Sequence, residues 1–149
     1  MANKKGIYCL VFKNINLDTK IGSLGDISFR DGWHIYVGSA LGSAGYRRVE
    51  RHCRLALLKD KNPKWHVDYL LTNPNFSLEY FVFGETSRQL ECPLARVLGG
   101  ESVFGFGCSD CKCDSHLFYR RSNPLEEIKN AFLTISPEMD EKCLIICCM

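Results

Sequence analysis

The stretch "YVGSALGSAGYRRVERH", residues 36–52, sets the reading of the whole chain. A tyrosine closes an apolar, β-branched segment, small residues follow, and three arginines and a histidine then crowd together. Gly38, Gly42 and Gly45 supply backbone freedom at helix-hostile positions, so the middle reads as a loop. From Tyr46 the pattern turns helical: Val49, Cys53, Ala56 and Leu57 recur at i, i+4, i+7 and i+8 as one apolar stripe. The arginines then occupy the other faces. Arg48 and His52 stand one turn apart on one side, and Arg51 lies three residues from Arg48. A glycine loop entering a helix also presents free backbone amides, which favour a phosphate group. A phenol, guanidinium groups and an imidazole gathered at such a turn point to chemistry on an anion.

Working outward, "GIYCLVFK" reads as a strand, and "WHIYVG" resumes the sheet after residues rich in Gly, Asn and Asp that hold a hairpin or a short extra strand. The first helix is expected to stop at Pro63. "KWHVDYLLTN" is a second, short helix ended by Asn73-Pro74, in which Trp65 and Leu70 are expected to pack. "SLEYFVFGE" is a strand, and "TSRQLECPLARVLGG" a helix opened by a Thr-Ser cap and closed by a glycine pair. "FGFGCSDCKCDSHLFYR" is a compact loop running into an aromatic strand. "NPLEEIKNAFLTI" opens on an Asn cap with proline at the first helical position. The terminal "ICCM" reads as a packed strand. The element order argues for an α+β domain with a small sheet flanked by helices.

With 149 residues, 46% apolar and 24% charged, the chain is expected to form one domain with a genuine core. No apolar run reaches eighteen residues, and "MANKKGIYCLVF" lacks the features of a signal peptide, so the expected location is the cytoplasm, away from membranes. Nine cysteines without a secretory signal fit reduced thiols, with a metal among them, better than a disulfide framework. The net charge of +2 excludes little, but its distribution is uneven. Residues 45–66 carry a local excess of five positive charges, while the end of the chain turns acidic. A basic centre on a near-neutral protein suits a phosphate-binding face, or one solvated helix.

Gly6-Ile7-Tyr8 and Tyr36-Val37-Gly38, followed by Arg48 and His52, closely resemble the GIY-YIG nuclease superfamily. The combination of "RVERH", "WHVDYLL", "ECPLA" and "GFGCSDCKCDSHLFY" is similar to a prokaryotic branch found alone or fused to repair glycosylases of the endonuclease III type. The resemblance covers roughly residues 6–119. It implies a small three-stranded, mainly antiparallel sheet flanked by helices, with an inserted hairpin region at about 13–33 in a domain spanning 1–120. Residues 121–149 are expected to pack on that domain as an extension. It further implies a metal-dependent endonuclease acting on nucleic acid, with DNA as the expected partner and repair as the setting.

The site residues implied are Tyr8 and Tyr36 as phenols that deprotonate or orient water, Arg48 on the transferring phosphoryl, His52 beside it, and Glu91 holding Mg²⁺ or Mn²⁺. A carboxylate suits such hard cations, and an arginine grips phosphate oxygens in pairs. Gly38, Ser39, Arg47, Arg51, Arg54 and His66 are the candidates for contacting nucleic acid. Two features depart from the superfamily's pattern. The signatures are separated by 27 residues, 9–35, and Glu85 competes with Glu91 as the metal acid.

Each signal also has a plainer reading. The tyrosines fit as core aromatics, the arginines as a solvated helix face, and Glu91 as a first-turn acid favoured by the helix dipole. Cys108, Cys111, Cys113 and His116 offer zinc ligands, but four within nine residues would be cramped. The resemblance favours Cys92 in place of Cys108, giving Cys92, Cys111, Cys113 and His116. The competing reading is a turn of reduced thiols capped by Ser115 or Asp110. The functional alternatives are a non-catalytic nucleic-acid-binding module that keeps the phosphate-binding surface, and a zinc-stabilised interaction domain.

Overall fold

The computed structural model describes residues 4–108 and 111–149. Asp110, one of the two expected loop caps, lies outside them. The chain begins with β1 (Gly6–Asn14), a continuous apolar run buried on both faces. Its even residues Tyr8, Leu10 and Phe12 enter one core, and its odd residues Ile7, Cys9 and Val11 enter another. This is the period of two expected of a strand between two layers. A hairpin of β2 (Leu17–Lys20) and β3 (Asp26–Phe29) follows, then β4 (Gly32–Ala40), which returns antiparallel to β1. Helices α1 (Arg47–Leu58) and α2 (His66–Leu71) lead to β5 (Phe76–Glu85), antiparallel to β1 on its other side. Then come α3 (Glu91–Leu98), β6 (Leu117–Arg120), α4 (Leu125–Ile135) and β7 (Leu144–Cys148).

The expected three-stranded sheet is corrected to five antiparallel strands among the described residues, in the order β6-β4-β1-β5-β7, beside the separate β2–β3 hairpin. The three expected strands are the centre of that sheet. Left alone, β4 and β5 would each expose a row of unpaired backbone groups. The aromatic strand β6 covers β4 along Trp33 to Tyr36, and the terminal β7 covers β5 along Tyr80 to Gly84. Residues 101–103 in turn shield the outside of β6, where Tyr119 N–H donates to Glu101 O at 2.8 Å and Val103 N–H to Leu117 O at 3.0 Å.

The two cores form two layers of helices about the sheet. Val49 and Leu55 of α1 and Val67, Leu70 and Leu71 of α2 pack on the face of Tyr8 and Leu10. Leu94, Ala95 and Leu98 of α3 and Ile128, Ala131 and Phe132 of α4 pack on the face of Ile7 and Cys9. Burying each of the Val, Leu, Ile and Phe side chains among these contributes about 1.5–3 kcal/mol. The buried stripe of α1 is rotated from the expected one. Leu57 is 76% exposed, while His52 is buried on the core side. Helix α1 also ends before Pro63, at a left-handed Lys59 (φ 48°). The Lys59 ammonium donates to Leu71 O at 2.7 Å, which ties the ends of α1 and α2 together. Helix α3 starts at Glu91 rather than at Thr86, with Pro93 in its first turn where the missing N–H costs nothing. No helix among the described residues is long and apolar enough to cross a membrane.

Candidate active site

The two tyrosines reach one side of the sheet through strand register. Tyr8 pairs with Gly38 and Leu10 with Tyr36, so both phenols project from the same face as diagonal neighbours, their ring centroids 6.5 Å apart. Gly38 is required by this arrangement. A Cβ there would stand 2.4 Å from Tyr8 Cζ, so the glycine makes room for the ring. Glycine at this position therefore serves packing, and the Ser39 carbonyl beside it accepts a hydrogen bond from Arg48 Nη1 at 3.0 Å.

Tyr8, Tyr36, Arg48, His52, Lys64, Trp65, His66, Glu91 and Gly107 line one cavity of about 320 Å³. Four of them come from the two strands and α1, and Glu91 enters from the first turn of α3, a helix of the opposite layer. That meeting takes place beside the middle of β4, where its pairing with β6 ends. Pairing with β6 stops at Tyr36, and Val37 N–H instead donates to His116 O at 2.9 Å, in the loop before β6. Glu85 does not reach the cavity. It is exposed at the end of β5, 3.6 Å from Lys4 Nζ. Arg47 is exposed and outside the cavity, and Arg54 is turned to Asp60 at 3.7 Å. The insertion approaches the loop before β6: a Cβ at Gly105 would stand 3.2 Å from Leu24, in the turn between β2 and β3.

Tyr8 and His52 share a buried hydrogen bond, Oη to Nε2 at 2.9 Å. Burial holds the Tyr8 hydroxyl well above the ordinary phenol range, an effect Tyr36 reinforces and Arg48 opposes. Burial also pushes His52 down to about 3, against the pull of the Asp68 carboxylate. The pair therefore rests as a neutral phenol donating to a neutral imidazole. Tyr36 is raised likewise, by burial first and by Glu91 second.

Trp65 does not pack away as expected. It is 45% exposed, with the Arg48 and Arg51 guanidinium carbons 5.0 and 4.7 Å from its ring centroid. Its position is fixed by Asp68, a residue that sequence reasoning missed. The fully buried Asp68 carboxylate accepts the N–H groups of Lys64 at 3.0 Å and Trp65 at 3.1 Å, and pairs with Arg51 at 3.5 Å. An acid at the third position of a short helix was the available signal. Its other oxygen and His52 Nδ1 are both buried and without a hydrogen-bond partner among the described residues. His66 Nδ1 accepts the Gly107 N–H at 2.9 Å, which leaves Nε2 as the donor of a neutral ring.

Behind Glu91 lies a second cluster. One ligand atom from each of Cys92, Cys111, Cys113 and His116 falls within 4.8 Å of every other. His116 Nε2 is 3.8 Å from Cys92 Sγ and 3.6 Å from Cys111 Sγ. Ligands of a tetrahedral zinc ion, bound at about 2.0–2.3 Å, stand about 3.5–3.8 Å apart, so the donor set and spacing suit such an ion. Cys108 is not among the four, and its thiol is 3.3 Å from Phe106 O. Ser115 does cap the turn, its Oγ accepting Leu117 N–H at 2.9 Å, so the cap and the cluster coexist. Glu91 presents a different chemistry. It is a partly exposed carboxylate that shares the cavity lining with the cationic Arg48 and Lys64.

A family model described as domain of unknown function DUF123 matches residues 7–136, and the chain belongs to that family. No curated protein and no solved structure matches the chain.

Proposed function

We propose that this protein is a metal-dependent endonuclease that hydrolyses phosphodiester bonds of nucleic acid, with DNA as the expected substrate and repair as the expected setting, on a GIY-YIG-like site. One observation carries the reading: two phenols, the Arg48 guanidinium and the Glu91 carboxylate, far apart in sequence, line a single cavity. Packing needs no such mixture. Arg48, steadied by the Ser39 carbonyl and the Trp65 ring, offers a planar fork to the phosphate oxygens, and Lys64 adds a second positive charge.

Tyr8 keeps its proton at rest, donated to His52, so its oxygen lone pairs are available to receive a water hydrogen. As the water oxygen bonds to phosphorus, its proton passes to Tyr8 Oη while the Tyr8 proton passes to His52 Nε2. The bond from phosphorus to the leaving sugar oxygen breaks, and that oxygen takes a proton from solvent. Burial opposes the imidazolium formed in this step, and the buried Asp68 carboxylate offsets part of that cost. Tyr36 stands beside Tyr8 to orient the water. Glu91 would hold Mg²⁺ or Mn²⁺, which supplies charge stabilisation at the leaving oxygen. Zn²⁺ is the ion suited to the separate cysteine–histidine cluster.

The test is cleavage of branched, flapped and damaged duplexes with Mg²⁺ or Mn²⁺ by the wild type, Arg48→Ala and Glu91→Gln. Losses of about 10²–10³-fold are expected for removing one charge-stabilising group. If no substrate is cut, or if both variants cut normally, the catalytic assignment is wrong. Salt-dependent binding without turnover would instead mark a non-catalytic binding module.

A further inference from the structure

We propose that Cys92, Cys111, Cys113 and His116 hold one zinc ion that clamps the loop before β6 to the first turn of α3, and that this clamp builds the rear wall of the phosphate cavity. What the cavity does is taken from the reading above. That it depends on zinc is the new claim.

Three observations converge on it. First, the ligands come from two places that no strand pairing joins: Cys92 from α3, and the other three from a loop of residues 99–116. That loop has little regular structure among its described residues, and an ion shared with Cys92 would tie its end to α3. Second, the cluster lines one cavity, and residues of the two segments that carry it line the other. Cys92 and Cys113 line one of about 410 Å³ together with Arg96 and Lys112, while Glu91 and Gly107 line the phosphate cavity. Third, both ends of the clamp bear site residues. Glu91 precedes Cys92, and its Oε2 lies 3.9 Å from Nδ1 of His116, whose Nε2 faces the sulfurs. A shift of about 1 Å would bring that contact to hydrogen-bond length, giving the carboxylate–histidine–zinc arrangement that orients metal ligands. On the loop side, the Gly107 N–H fixes the His66 ring, and Gly107 lies against Tyr36, where an added Cβ would stand 3.2 Å from its ring.

The alternative of four ligands from the loop alone would use Cys108, and the geometry separates the two. Protein purified without chelator is expected to carry one zinc per chain by elemental analysis. Exchange for Co²⁺ is expected to give the visible bands of a tetrahedral, thiolate-bound ion. Cys92→Ser, Cys111→Ser and Cys113→Ser should lose the ion, and Cys108→Ser should keep it. Absence of the metal, or its loss only with Cys108, would overturn the site.

The clamp itself is read by amide hydrogen exchange. Removing zinc is expected to speed exchange at Gly107 and His116 at least tenfold while the centres of β1 and β4 stay protected. Equal exchange with and without zinc would overturn the clamp. Should zinc removal unfold the chain, Cys113→His, which keeps four ligands, is expected to retain both the ion and slow exchange at Gly107. Fast exchange there with the ion retained would overturn the clamp. A protein that binds zinc and protects Gly107 in this way yet cuts no nucleic acid would sink the nuclease reading and support this one.

Discussion

Tyr8 Oη on β1 and His52 Nε2 on α1 lie 2.9 Å apart in a buried contact that joins the central strand to the helix carrying the arginines. Neither group is charged at rest, because burial opposes both the phenolate and the imidazolium. Tyr8→Phe keeps the ring and removes only the hydroxyl. It is expected to leave the fold intact and to lower cleavage by about 10²–10⁴-fold, the usual contribution of a positioned proton-transfer group. Single-turnover rates beside an unfolding curve check this, and an unimpaired Phe variant would exclude Tyr8 from the reaction.

Glu85 and Glu91 give opposite expectations. Glu85 faces Lys4 in solvent, whereas Glu91 lines the cavity. Glu85→Gln should cut normally and bind Mn²⁺ as the wild type does. Glu91→Gln should lose both, and a titration followed by paramagnetic resonance of free Mn²⁺ would show it.

Arg48 both hydrogen-bonds Ser39 O and stacks on Trp65, geometry that an ammonium does not reproduce. Arg48→Lys is therefore expected to restore little of the activity lost in Arg48→Ala. The salt dependence of nucleic-acid binding should flatten by about one phosphate contact in Arg48→Ala. Full activity in the lysine variant would show that charge alone suffices.

Stability should fall in acid. Burial lowers His52 from 6.5 to about 3 and His34, whose Nδ1 is bound to Asn14 Oδ1 at 2.8 Å, from 6.5 to about 4. Below pH 6.5 the unfolded chain binds protons that the folded chain refuses. Stability is thus fully present above that pH and declines as pH falls toward 4, by about 1.4 kcal/mol per pH unit for each histidine. Urea midpoints at pH 7, 6, 5 and 4 should drop progressively, and His34→Gln should reduce the slope. A flat series would contradict the burial of these rings.

Gly38→Ala places a Cβ 2.4 Å from Tyr8 Cζ, in a ring that is 1% exposed and hydrogen-bonded to His52. A cost of about 1–3 kcal/mol is expected, with loss of the Tyr8–His52 contact. An unchanged melting temperature would show that the ring can move aside.

The strands 6–14 and 32–40 and the helices after them were legible because alternation and a 3.6-residue stripe are local properties of the chain. The stripe of α1 was misread by one position. Leu57 looks apolar in sequence yet faces solvent, and His52 looks polar yet is buried at 1% exposure, since a neutral imidazole with a phenol partner satisfies the core. Trp65 was expected to pack, but two guanidinium groups make a half-exposed position favourable. The widths of the sheet edges were not legible either. Whether "HLFYR" and "LIICC" pair with β4 and β5 depends on which backbone groups remain open once the rest has folded.

By itself the sequence determined the order of most strands and helices, and it offered side chains whose chemistry suits phosphate or a soft metal, because those properties belong to residue types and their spacing. The resemblance pointed to Glu91 and Cys92, and the tertiary structure places Glu91 rather than Glu85 on the cavity and Cys92 rather than Cys108 in the cysteine–histidine cluster; it alone set the sheet at five strands among the described residues. Each of these depends on distances between segments remote in the chain, which only packing sets.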